Sequence, residues 1–113
     1  MTRYIGLDVH ARSCTMVVLG PSGKKLKTDV LETNGQVLVE AVKLIPQPCQ
    51  LCMEEWTQCA WVYEILNSYV EDLVVVNVGE SRGQKDDALD AYALAEGLRI
   101  GKFKKRVYKE EGP

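Results

Sequence analysis

Arg3-Tyr4-Ile5-Gly6-Leu7-Asp8-Val9 is the stretch on which the fold turns. In an extended strand Ile5, Leu7 and Val9 fall on one face and Tyr4, Gly6 and Asp8 on the other, because side chains alternate with a period of two. An acid within such a strand is costly to bury unless it is paired or binds a cation. Gly6, two residues earlier on the same face, leaves open space beside it. Two readings stand at Asp8: a carboxylate held in the strand for a purpose, or a strand that ends at Leu7 with Asp8 starting a turn toward His10.

Outward from this strand, Cys14-Thr-Met-Val-Val-Leu19 reads as a second strand, and Gly20-Pro21-Ser22-Gly23 as a tight connection into a third around Leu26–Leu31. Short turns between three strands imply an antiparallel meander. Thr33 or Asn34 can cap a helix carrying Val37, Leu38, Ala41, Val42 and Ile45 at helical spacing, ended by Pro46 and Pro48. Residues 49–53 form a fourth strand running out at Glu54 and Glu55. Thr57 then caps a second helix with Trp61, Ile65, Leu66 and Tyr69 in its stripe. Leu73-Val-Val-Val-Asn-Val78 is the β-branched run expected of a strand buried on both faces. After a polar loop over 79–84, residues 86–99 read as a third helix ended by Gly101. The expected fold is α/β: a five-stranded mixed sheet in the order β-β-β-α-β-α-β-α, with helices on its faces. Ribonuclease-H-like domains share this order.

The bulk properties narrow the function classes. At 113 residues with 46% hydrophobic content, the chain suits one small domain with a real core. Its apolar runs are too short to span a bilayer, and Asp8 interrupts any signal-peptide core, so a cytoplasmic protein is expected. Cys49 and Cys52 have a zinc-ligand spacing, but no second pair follows, and strand residues three apart face opposite sides. Cys14, Cys49, Cys52 and Cys59 are expected to be reduced, buried thiols. A net charge of −2 and a pI near 5.4 argue against a nucleic-acid coat. The cations nevertheless cluster, at Lys24, Lys25 and Lys27 and again at Lys102, Lys104, Lys105 and Arg106, as solvated surface or as phosphate contacts.

The carboxylates carry the chemistry. Glu54 lies where the fourth strand runs out, and open sheets bind ligands at the carboxyl ends of strands where the strand order reverses. The first and fourth strands should be neighbours there, bringing Asp8 and Glu54 together; Glu55 is the rival. In the third helix Asp87, Asp90, Leu94 and Leu98 follow a helical phase that sets both acids in line with the apolar stripe. Compensation of the helix dipole is the alternative for such acids, and Asp86 falls on another face as the solvated cap. Four converging carboxylates repel one another without a cation. Magnesium or manganese resolves the repulsion, and two such ions support phosphodiester chemistry.

Three segments in this order carry a resemblance: Tyr4-Ile-Gly-Leu-Asp-Val-His10, Met53-Glu-Glu-Trp-Thr-Gln-Cys-Ala-Trp-Val-Tyr-Glu-Ile-Leu66, and Ser81-Arg-Gly-Gln-Lys-Asp-Asp-Ala-Leu-Asp-Ala-Tyr-Ala-Leu-Ala-Glu96. Together they resemble the DEDD transposases of the insertion-sequence-110 type, whose K-x-D-x-x-D-A pattern matches Lys85–Ala91. The resemblance covers Tyr4 to about Tyr108. It implies that residues 1–113 form one RuvC-like domain, with a helical extension starting after about residue 102. It also implies a magnesium or manganese site on Asp8, Glu54, Asp87 and Asp90, and strand transfer on DNA. Arg82, Lys85, Lys102, Lys104, Lys105 and Arg106 are then the expected nucleic-acid contacts. Family members act as multimers, some guided by a structured bridge RNA, and carry a nucleophilic serine in a C-terminal domain that these 113 residues do not include. Ser13, Ser22, Ser68 and Ser81 have no motif for that role. Trp56 stands where relatives often have a small residue, as a packing residue or as a platform for a base.

Three rivals use the same observations. A Holliday-junction-resolvase-like endonuclease would hydrolyse DNA with the same acids and no serine. A sugar-kinase or actin-like domain also opens on a Gly-x-Asp strand, but Gly20–Gly23 is too short for its phosphate loop. A catalytically incomplete nucleic-acid-binding or assembly domain would keep the acids without turnover. The apolar positions are consumed by the core, leaving no additional apolar seam for self-association.

Overall fold

The computed structural model describes residues 1–77 and 90–103. Along the chain come β1 (Arg3–Val9), β2 (Ser13–Leu19), β3 (Lys25–Glu32), α1 (Gly35–Lys43), β4 (Cys49–Glu54), α2 (Cys59–Leu66), a 3-10 turn at Asn67–Tyr69, β5 (Asp72–Val76) and α3 (Ala91–Arg99). The strands form one mixed sheet in the order β3-β2-β1-β4-β5. β1, β2 and β3 are antiparallel neighbours, whereas β4 is parallel to both β1 and β5. Asp8 lies within β1, opposite Thr15 of β2, so the strand does not end at Leu7.

Alternation divides the sheet between two cores. Ile5, Leu7, Cys14, Met16, Cys49, Leu51, Met53, Leu73 and Val75 face one way and are covered by α1 and α2 through Leu38, Val42, Val62 and Leu66. On the other face α3 sets Ala91 and Ala95 against Val17 and Leu19, and Leu94 against Cys52, Val74 and Val76. The run Leu73–Val76 is therefore buried on both sides, as its β-branched composition predicts. Cys49 and Cys52 lie in opposite cores. All four cysteines are buried and none forms a disulfide.

The helix ends differ in detail from the expectation. Asn34, not Thr33, caps α1: its side-chain oxygen accepts the Gln36 and Val37 amides at 2.9 and 3.2 Å. The Thr33 hydroxyl instead donates to the His10 carbonyl at 2.6 Å. Thr57 does not cap α2. Gln58 occupies the cap position without a capping side-chain bond, and its side-chain oxygen accepts Trp61 Nε1 at 3.1 Å. The buried stripe of α2 is Cys59, Val62 and Leu66, so Trp61 and Ile65 sit at its border and Tyr69 lies beyond the helix. In the described residues α3 begins at Ala91, with Asp90 as its cap rather than an interior position; residues 86–89 lie outside them. Its far end closes as expected. Gly101, at φ 73°, donates to Leu98 while Lys102 donates to Gly97 at 2.8 Å, the paired bonds of a left-handed glycine stop.

Among the described residues no helix is long and apolar enough to cross a membrane.

Candidate active site

Two features of the backbone build the site. The first is the register between parallel strands: Gly6 pairs with Cys52 and Leu7 with Met53. One step further along both strands come Asp8 and Glu54, side by side at the carboxyl edge. Alternation puts both on the α3 face, because Met53 belongs to the α1/α2 core and Cys52 to the α3 core. Glu55 falls on the opposite parity, where its carboxylate accepts Asn77 Nδ2 at 2.9 Å and its amide donates to the Val76 carbonyl at 2.7 Å.

The second is the seating of α3. A Cβ at Gly6 would overlap the Ala91 carbonyl oxygen and stand 2.7 Å from the Ala95 nitrogen, so the helix backbone rests directly on this glycine. The open space read beside Asp8 in the sequence is thus filled by a helix. At the other end of α3, Arg99 Nη1 donates to the Pro21 carbonyl at 3.1 Å, while its Nε and Nη2 hold both Glu96 carboxylate oxygens at 2.9 and 2.7 Å. That anchor fixes the C-terminus of α3 at the β2–β3 turn. Its N-terminus, with Asp90, therefore points toward the edge that carries Asp8 and Glu54.

Asp90 has a defined local role. Its backbone is extended (φ −82°, ψ 177°), and its Oδ1 accepts the Ala93 amide at 2.8 Å. The acid caps the helix, satisfying an amide that otherwise lacks a partner. One carboxylate oxygen is committed to this bond. A carboxylate can still present its second oxygen to a ligand.

Asp8 is only partly exposed, at 29% of its side chain, and its Oδ1 lies 3.3 Å from His10 Nε2. His10 is itself well exposed. The β1–β2 connection that bears it is held by the His10 amide donating to Ser13 at 3.0 Å and by the Thr33 hydroxyl on its carbonyl. The same hydroxyl lies 3.3 Å from Cys14 Sγ. Burial pushes the Cys14 thiol up, only partly opposed by the Thr33 hydrogen bond. His10, Thr33 and Asn77 had no place in the sequence-level site. The i, i+2 spacing of Asp8 and His10 was the available signal for the first; the other two arrive from distant elements and left none.

Trp56 packs against the α1/α2 core rather than on the Asp8 face, and its buried indole nitrogen has no acceptor among the described residues. Lys102 is exposed beyond the glycine stop of α3. Asp86, Asp87, Arg82, Lys85, Lys104, Lys105 and Arg106 lie outside the described residues. The arrangement therefore joins Asp8 and Glu54 on adjacent strands, with Asp90 heading the helix above them. Among the described residues no three His, Cys, Asp or Glu side chains close into a metal-holding group. No known family model matches the chain, and no curated protein matches it.

Proposed function

We propose that this chain is a ribonuclease-H-like, RuvC-like domain of the DEDD transposase type, acting on phosphodiester bonds of DNA with divalent magnesium or manganese. The observation that supports the reading is the parallel β1–β4 register, Leu7 with Met53, which continued by one residue sets Asp8 and Glu54 next to each other at the carboxyl edge. Parallel register makes this convergence independent of loop conformation, and the seating of the α3 backbone on Gly6 supports assigning Asp90, at the start of that helix, to the same edge.

The donor set fits a hard cation: carboxylate oxygens are the ligands that magnesium and manganese prefer. Asp8 and Glu54 would hold it, with Asp90 and Asp87 completing the set. Such an ion supplies Lewis-acid stabilisation of phosphoryl oxygens when bound. The chain's own contribution is positioning. β1 and β4 fix two carboxylates on rigid strands, α3 fixes a third at a helix start, and the hydrogen bond from Thr33 steadies the hairpin next to Asp8. Lys85, Arg82 and the basic residues from Lys102 to Arg106 are the proposed contacts to the DNA backbone, and a structured guide RNA the proposed additional partner.

One observation favours a second reading, an incomplete nucleic-acid-binding or assembly domain. Asp90 already has a structural task as the cap of α3, and an acid kept for capping needs no metal to account for it.

Thermal melting with and without millimolar manganese tests the choice. Under the metal reading, manganese raises the melting temperature of the wild-type chain, and Asp8→Asn together with Glu54→Gln abolishes the rise. Unchanged melting of the wild type across that range removes the metal reading.

A further inference from the structure

β3 is an outer strand of the described sheet, and its outer edge, unpaired among the described residues, is self-complementary. Thr28 and Val30 of β3 are exposed, Val30 at 73%, an unusual position for a β-branched apolar side chain. Lys27 and Asp29 are half-buried on the other face, with Nζ and Oδ2 3.4 Å apart and each side chain more than a third exposed. Toward the N-terminal end a register shift between Val18 and Leu19 interrupts the pairing of β2 with β3, leaving the residues after it in regular alternation.

We propose that this edge pairs with β3 of a second copy of the chain, antiparallel about a two-fold axis through Thr28, to make one continuous sheet across the dimer. Such an axis stands perpendicular to the sheet. Each face then meets the same face of the partner, so odd positions oppose odd and even oppose even. Centred on Thr28, Lys27 of each copy opposes Asp29 of the other, within the part of β3 that follows the register shift at Leu26. Moving the centre by one residue toward Lys27 sets lysine against lysine, and moving it toward Asp29 sets aspartate against aspartate. Opposed like charges destabilise an antiparallel pair, whereas opposed unlike charges and apolar pairs stabilise it. Lysine on an edge strand ordinarily repels further pairing. Here Lys27 disfavours one neighbouring register, Asp29 disfavours the other, and together they favour the central one. This seam is polar at its charged face and short, so it leaves no surplus apolar stripe in the sequence. The proposal is independent of the metal site.

The test uses the full chain. Sedimentation velocity over a concentration series reads the association, and Thr28→Cys reads the register. The four native cysteines are buried, so this substitution supplies an accessible thiol beside its symmetry mate. Mild oxidation is expected to give a covalent dimer at least tenfold faster for Thr28→Cys than for Val30→Cys, whose mates are separated by about four residues at roughly 3.4 Å each. Lys27→Asp and Asp29→Lys are each expected to weaken the dimer roughly tenfold through two symmetric contacts. Combined in one chain they restore opposite charges and should return the affinity to near wild type. A monomer throughout the series overturns the proposal. So does equal oxidation of the two cysteine variants, or a double variant no tighter than the single ones.

Discussion

The carbonyl oxygen of Ala91 occupies the space that a side chain at Gly6 would need. This contact lets α3 lie on β1 backbone to backbone, and it fixes how far the helix start stands from Asp8, two residues along the strand. A residue without a Cβ is required there for packing, close to the carboxylates but not among them.

Gly6→Ala is therefore expected to destabilise the protein strongly, because the obstacle is main chain and the whole helix must shift. Overpacking of a closed core costs about 1–3 kcal/mol or more. Urea denaturation measures it, and Gly6→Ser should cost at least as much.

Asp90→Ala and Asp90→Asn separate capping from charge. Alanine removes the acceptor for the Ala93 amide and should cost about 1 kcal/mol. Asparagine keeps an acceptor and should retain most of that stability. If Asp90 also serves the cation, asparagine lowers metal affinity while leaving the metal-free melting temperature nearly unchanged, a difference read by calorimetric titration with manganese.

Capping also explains where the sequence was hard to read. β1 was legible because alternation and the anomalous Asp8 lie in the same seven residues. β5 was legible because four consecutive buried positions admit little but β-branched residues and leucine. Glu54 could be placed beside Asp8 because strand order and parity are discrete properties. Helix starts are settled instead by single hydrogen bonds. Thr57, Gln58, Thr33 and Asn34 all belong to residue types that bond in turns, and side-chain identity alone does not say which does so. The helical phase through Asp90 failed for the same reason, since a cap residue is extended and does not share the periodicity of the helix behind it. The contacts of His10 and Thr33 depend on a hairpin meeting the end of β3, a long-range event with no local signature.

Trp56→Phe is expected to be neutral or slightly stabilising. The ring packs against the α1/α2 core, and its buried Nε1 has no acceptor among the described residues. An unmade buried hydrogen bond costs about 1–3 kcal/mol, part of which the substitution recovers. A loss of more than about 1 kcal/mol in chemical denaturation would contradict this, the lost ring packing then outweighing the unmade hydrogen bond.

Alkaline pH should weaken the fold through its thiols. Burial raises Cys14 and Cys49 above the ordinary 9.0. The unfolded chain then loses these protons first while the native state retains them. Stability from this source is complete below pH 9.0 and is lost as pH rises from there through the raised native values. Cys14→Ala with Cys49→Ala should flatten the decline in a pH series of melting temperatures, at the cost of some packing. Alkylation of the native protein at pH 8 should be slow at both sites, with rapid reaction on unfolding.

A crystal soaked in manganese measures the central claim most directly. The account predicts an anomalous peak at the carboxyl edge of β1 and β4, bounded by Asp8, Glu54 and Asp90, with oxygen ligands at roughly 2.0–2.3 Å. A peak bound only elsewhere, or no peak with this edge open to solvent and manganese in excess, would contradict it.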